Sequence, residues 1–304
     1  MNSHKLVILA AFAAIYIIWG STYLAALIGL GSFPPLLMAG LRFSSAGLIL
    51  LVWCLVKGET LPSANFVRKN ALGGILMLVG GTGSVIWAEQ YIPSGMAAIL
   101  VASLPFWFVL LDRHQWATYF SNKLIIGGLL LGFAGILLLF GFNSTPQTTS
   151  RAGMQMVSIV VLVLGSIAWV VGSLYTKYQP STGSTTMNAS LQLLAAGPFS
   201  LLLSGILGEF NGFAIGAVSV NAWLALAYMT IMGSLVAYLA YIYLLQVRPP
   251  AQVGTYAYVN PVIAVLLGWQ FANEPITSQQ LLALSMILCG VLLVNLPKYQ
   301  SAKT

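Results

Sequence analysis

Two stretches of this chain, 156 residues apart, carry the same punctuation. Gln90-Tyr91-Ile92-Pro93 opens an apolar run broken at Leu104-Pro105, and Gln246-Val247-Arg248-Pro249 opens another broken at Asn260-Pro261. Related apolar endings follow, Gly135-Ile136-Leu137-Leu138-Leu139 and Gly290-Val291-Leu292-Leu293-Val294, at an offset of 155. A duplicated chain folds as two copies of one unit. In a membrane, the orientation of the second copy depends on whether each copy crosses an odd or an even number of times.

The solvent for this fold is lipid. Charged residues make up 6% of the chain, hydrophobic residues 59%, and mean hydropathy is +0.92, so there is too little polar surface to cover a water-soluble globule. A helix needs roughly 20 apolar residues to cross a bilayer. Runs of that kind are read at 5–30, 34–56, 70–89, 93–111, 123–142, 153–177, 185–207, 220–247, 249–270 and 277–296. The first begins just after Lys5 and is longer than the core of a cleaved signal, so it is expected to be retained. Period-two alternation is absent, which argues against a β-barrel.

The net charge of +7 is explained by topology rather than by nucleic acid. With the N-terminus in the cytoplasm, inner loops and tails hold Lys5, Lys57, Arg68, Lys69, Arg113, Lys123, Lys177, Arg248, Lys298 and Lys303, whereas outer loops hold only Arg151. Such an excess of inner basic residues places both termini in the cytoplasm. The polar link from Gly141 to Arg151 separates two units, 1–145 and 146–304, of five spans each. Five is odd. The expected fold is therefore an all-α integral membrane protein of ten transmembrane helices, arranged as two inverted five-helix repeats.

Polar and aromatic residues gather at few depths. The first span carries Trp19, Ser21, Thr22 and Tyr23, and the sixth carries Trp169 at a similar distance from its own, opposite start. These clusters suit a cavity wall, or anchoring at the membrane interface. Arg42 lies inside the second span, where a charge costs about 2.5–3.5 kcal/mol to insert and calls for a partner or for water. Glu89, at the outer end of the third span, is the candidate partner. A structural ion pair and a contact to solute both fit this pair. Pro105 and Pro261 each remove a backbone hydrogen bond near the middle of a span, as paired hinges or as static kinks. Tyr238, Tyr256, Tyr258 and Asn260 add hydroxyl, ring and amide surface at depth, which fits a solute with an apolar or aromatic body and a few polar groups.

Other chemistries find no footing in the sequence. Cys54 and Cys289 sit in spans without metal-ligand spacing, and no P-loop, dinucleotide fingerprint or hydrolase motif occurs, so no cofactor, metal or catalytic residue is expected. Glycines at helical spacing, such as Gly128 and Gly132, allow close helix packing. Whether the protein is a monomer or a homodimer stays open.

The run Tyr16-Ile17-Ile18-Trp19-Gly20-Ser21-Thr22-Tyr23, followed by Pro34-Pro35-Leu36-Leu37-Met38-Ala39-Gly40-Leu41-Arg42-Phe43, resembles the EamA-type branch of the drug/metabolite transporter superfamily. Ala88-Glu89-Gln90, Pro93-Ser94-Gly95 and the segment from Tyr256 to Gly268 carry the same likeness. The resemblance implies spans 1, 3, 4, 6, 8 and 9 around a central cavity, with 5 and 10 at the periphery. It further implies export of small metabolites, amino acids or related compounds, across a bacterial inner membrane. Relatives often have His after Glu89 where this chain has Gln90, so a titratable role there does not carry over. Alternating access around Trp19, Tyr23, Trp169, Tyr256, Tyr258 and Asn260 is the expected mechanism, either coupled to protons through Glu89 or as an uncoupled facilitator. A channel-like pore is the alternative.

Overall fold

The computed structural model describes residues 3–60, 62–88, 90–92, 94–140, 152–179, 183–272 and 277–296. All regular structure among them is helical. The helices are α1 (Ser3–Leu30), α2 (Pro35–Val56), α3 (Ala64–Ala88), α4 (Ser94–Val101 and Leu104–Leu111) and α5 (Lys123–Phe140). After them come α6 (Ala152–Tyr178), α7 (Thr185–Ile206), α8 (Val220–Val247), α9 (Pro250–Val253 and Tyr256–Ala272) and α10 (Ser278–Asn295). Seven of these, namely α1, α2, α3, α6, α7, α8 and α10, are long and apolar enough to cross a membrane. Side chains such as Leu27 and Val56 stay 70% and 77% exposed, a surface that only lipid would solvate.

The remaining expected spans are shorter or broken, and the breaks have local causes. In α4 the helix parts at Ala102-Ser103, because Pro105 has no N–H to donate to Val101; Phe106 N–H bonds back to the Ser103 carbonyl instead. The copied Pro261 behaves differently. It lies inside a continuous Tyr256–Ala272 helix, and α9 breaks earlier, at Gly254-Thr255, where the Thr255 hydroxyl donates to the Gln252 carbonyl at 2.6 Å. Beyond α4 the chain bends by 68° into a short helix, Trp116–Ser121.

Contacts between helices repeat when the two halves are exchanged. The α2 and α7 segments align at an offset of 150, pairing Arg42 with Gln192, Gly47 with Gly197 and Gly58-Glu59 with Gly208-Glu209. A side chain on Gly47 would strike Leu194, and one on Gly197 would strike Ser44, which is the same contact seen from either helix. Both helices end in the same motif. Glu59 N–H bonds to the Cys54 carbonyl and Glu209 N–H to the Ser204 carbonyl, after Gly58 and Gly208 at φ +81° and +73°, a conformation that favours glycine. The two glutamates then reach across. Glu209 accepts from the Leu36 and Leu37 amides at the start of α2, and Glu59 accepts from the hydroxyl of Ser184, the residue that caps α7. Each carboxylate so meets the positive end of the partner helix.

The α5–α10 contact is reciprocal in the same way. Gly135 lies against the Ala283 carbonyl and Gly290 against the Gly128 carbonyl, and both pairs are related by the 155-residue offset. Backbones approach this closely only where side chains are absent. Elsewhere α3 packs on α6 as α8 packs on α1, and α4 on α6 as α9 on α1.

Candidate functional site

One feature of α3 and α8 shapes the centre of the molecule. Each contains a nine-residue π-helical stretch, Ile75–Gly83 and Met229–Ala237, in which the backbone bonds i to i+5. Trp19 Nε1 donates to a carbonyl of the second stretch, that of Gly233, at 3.1 Å. Small residues in both stretches, Gly81 and Gly233 among them, bring Trp169 and Arg42 against the backbone.

Between these stretches lies a cavity of about 980 Å³, counting the part open at its mouth. Trp19, Thr22 and Tyr23 come from α1, Arg42 from α2, Thr82 from α3, Ser166 and Trp169 from α6, Ser234 and Tyr238 from α8, and Tyr256 and Asn260 from α9. The lower wall is aromatic. Trp19 sits with its ring centre 5.9 Å from Trp169, 5.2 Å from Tyr241 and 4.8 Å from Tyr256, mostly in tilted or edge-on geometry, the favourable arrangement for π-systems. Hydrogen bonds lock it: Trp169 Nε1 donates to the Tyr241 hydroxyl at 2.9 Å, which also pairs with the Ser173 hydroxyl at 2.6 Å.

Two polar groups face this cavity with capacity to spare. Arg42 Nε donates to the Ser234 hydroxyl at 2.8 Å, and its terminal nitrogens make no further hydrogen bond to a described residue. Asn260 is 3% exposed, and its Oδ1 finds no partner among the described residues. A buried amide oxygen left unpaired costs about 1–3 kcal/mol, so it is a place where a ligand donor or a water would be welcome.

The other end of the molecule is closed. Asp112, only 1% exposed, accepts from the Tyr119 hydroxyl at 3.0 Å and the Tyr178 hydroxyl at 2.7 Å. Tyr119 in turn accepts from the Ala251 amide at 3.3 Å, so α4, the short helix, α6 and α9 meet at one carboxylate. Lys177 caps the end of α8 through the Leu245 and Arg248 carbonyls.

Comparison with known proteins places this architecture. The model of the EamA-like transporter family matches residues 5–141 and 156–296. The chain belongs to that family. It is 38% identical to the uncharacterized inner membrane transporter YedA of Escherichia coli (strain K12), over 95% of this chain and 90% of that one. It is 26% identical to the uncharacterized transporter YvbV of Bacillus subtilis (strain 168), over 93% and 90%. A solved crystal structure at 21% identity superposes with a TM-score of 0.77 over 97% of this chain and 98% of the other, which shows a shared fold. A multi-spanning EamA-like protein is a transporter by family, and among the described residues no group of His, Cys, Asp or Glu could hold a metal.

Within this EamA-like chain, most of the expected residues converge. Trp19, Thr22, Tyr23, Arg42, Trp169, Tyr238, Tyr256 and Asn260 line the cavity together. Ser21 is placed on the α1–α8 seam, where its hydroxyl pairs with that of Tyr228 at 2.6 Å. Tyr258 points away, donating to the Leu129 carbonyl at 3.0 Å against Gly132 of α5. Glu89 lies outside the described residues. Pro105 is buried beside the break in α4, whereas Pro261, also buried, lies inside a continuous helix. Sequence reading missed Ser166, Ser234 and the π-helical stretches. Clustered small residues, Gly80-Gly81-Thr82-Gly83-Ser84 and Gly233-Ser234, were the available signal.

Proposed function

We propose that this protein is a carrier that exports small metabolites, amino acids or related amphipathic and aromatic compounds, across a bacterial inner membrane by alternating access. Its ten helices form two inverted five-helix units, 1–145 and 146–304, with both termini in the cytoplasm. The reciprocal α2–α7 and α5–α10 contacts support that arrangement, and the inner excess of basic residues supports the orientation. The cavity then faces outward and the Asp112 cluster closes the cytoplasmic end.

The observation that carries the reading is a cavity with a floor of packed rings, Trp19 against Trp169 and Tyr256, and with Arg42 and Asn260 in its lining. A pore would need a continuous polar path through that floor. A carrier needs a single site that different halves of the protein expose in turn. The test is to profile metabolites released by cells overexpressing the protein and to repeat the measurement with Arg42→Ala. Release of a defined set of solutes that the variant abolishes is expected. An unchanged profile across amino acids, nucleobases and organic acids would sink the export reading, and single-channel currents in planar bilayers would replace the carrier by a pore.

A further inference from the structure

A second, smaller pocket lies at the closed end, among Lys69 and Asn70 of α3, Tyr175 and Thr176 of α6, and Asn188 of α7. Its position follows the internal duplication. At the 150-residue offset that relates α2 to α7, Arg42 corresponds to Gln192; the same offset carries Trp19 to Trp169 and Ala26 to Thr176. Trp19 and Trp169 touch each other near the centre, as residues beside a two-fold axis should. Ala26 lines the large cavity, and its counterpart Thr176 lines the small pocket.

The two spaces are joined by side chains rather than by open volume. Tyr238, in the floor of the cavity, donates to Gln192 Oε1 at 2.6 Å. Gln192 Nε2 donates onward to Asn70 Oδ1 at 3.4 Å and Thr176 Oγ1 at 3.3 Å, both in the pocket. Gln192 itself is fully buried, and among the described residues it ties the two spaces together through polar contacts. A buried amide satisfied at both ends by exchangeable hydroxyl and amide partners can be re-paired when helices move, at little net cost, because each bond is replaced by another. Apolar packing at the same place would offer no such exchange.

We infer that this pocket is the collapsed counterpart of the cavity, the cytoplasmic mouth of the pathway, opening between α3, α6 and α7 with Gln192 in the place that Arg42 holds on the outer side. The ligand is the solute of the cavity, met here by neutral amide and hydroxyl groups with Lys69 at the rim. The inference rests on the alternating-access reading.

Thiol accessibility tests it without knowledge of the solute. In a background with Cys54→Ala and Cys289→Ser, Ala26→Cys and Thr176→Cys are each exposed to a membrane-impermeant methanethiosulfonate, in spheroplasts and in inside-out vesicles. Ala26→Cys should react from outside. Thr176→Cys should react only from the cytoplasmic side, at a rate about 10- to 1,000-fold below that of Ala26→Cys, since a minor conformation holds roughly 0.1–10% of the population. Gln179→Cys, at the pocket's edge, should follow Thr176→Cys and serves if the latter does not fold. Reaction of Ala26→Cys from outside with none of the pocket variants reacting from inside overturns this inference alone. Failure of Ala26→Cys to react from outside overturns the outward-facing reading on which it rests.

Discussion

Arg42 and Gln192 occupy the same place in the two halves of the chain, yet their surroundings differ. Arg42 lines an open cavity and is held through one nitrogen by Ser234. Gln192 is fully buried and bonded to three neighbours, Tyr238, Asn70 and Thr176. The same contrast runs through the whole molecule. The cavity side offers polar groups with free capacity, whereas the other end commits groups such as Asp112, bonded to two phenols, to closing the fold. One duplicated sequence thus supports two local states, because a helix pair can present a position to a cavity or press it into a neighbour.

The contrast predicts that substitutions at the closed end cost stability, while those at the open end cost transport. Asp112→Ala should show the largest effect, about 3 kcal/mol lost to thermal unfolding in detergent, since both phenols are left without their charged acceptor. A variant as stable as the parent would mean that the closed end is not held there. Arg42→Ala should lower initial efflux by roughly tenfold or more, the cost of one charge-assisted hydrogen bond of about 1.5–3 kcal/mol to solute, with an unfolding temperature near that of the parent.

Smaller effects sharpen the comparison. Glu209→Gln weakens the capping of α2 and should cost about 1 kcal/mol, whereas Glu59→Gln, whose partner is a hydroxyl, should cost roughly half of that or less. Equal losses would show that the two staples are equivalent despite their different donors. Tyr258→Phe removes one hydrogen bond, to Leu129, outside the cavity. It should cost about 1 kcal/mol in unfolding and leave the set of exported solutes unchanged, and a changed set would bring Tyr258 back to the pathway.

Much of the fold was legible because the bilayer reduces the choices. Apolar runs must be helices, and their breaks must show as prolines or polar residues. That logic reads α1, α2 and α6 directly, and the break in α4 does lie beside Pro105. At Pro261 the helix runs on unbroken, because a proline inside a helix marks a missing bond without fixing where the chain parts. The break in α9 lies earlier, at Gly254-Thr255. At the site, Trp19, Arg42, Trp169 and Asn260 stood out by residue type and depth. Ser166 and Ser234 did not, since a serine in a span is as often bonded to its own helix as turned to a cavity.

The sequence by itself determined that this protein lies in lipid, that it is built twice, and where its conspicuous polar residues stand along each helix. These follow from hydropathy, offset and charge, which are properties of the chain alone. Only the tertiary structure decided which face of each helix looks inward. The π-helical stretches of α3 and α8 are the decisive case: the added residue in each turn rotates every later side chain about the helix axis. No periodicity read at 3.6 residues per turn could have placed Ser234 beside Arg42 or set Trp19 against the Gly233 carbonyl.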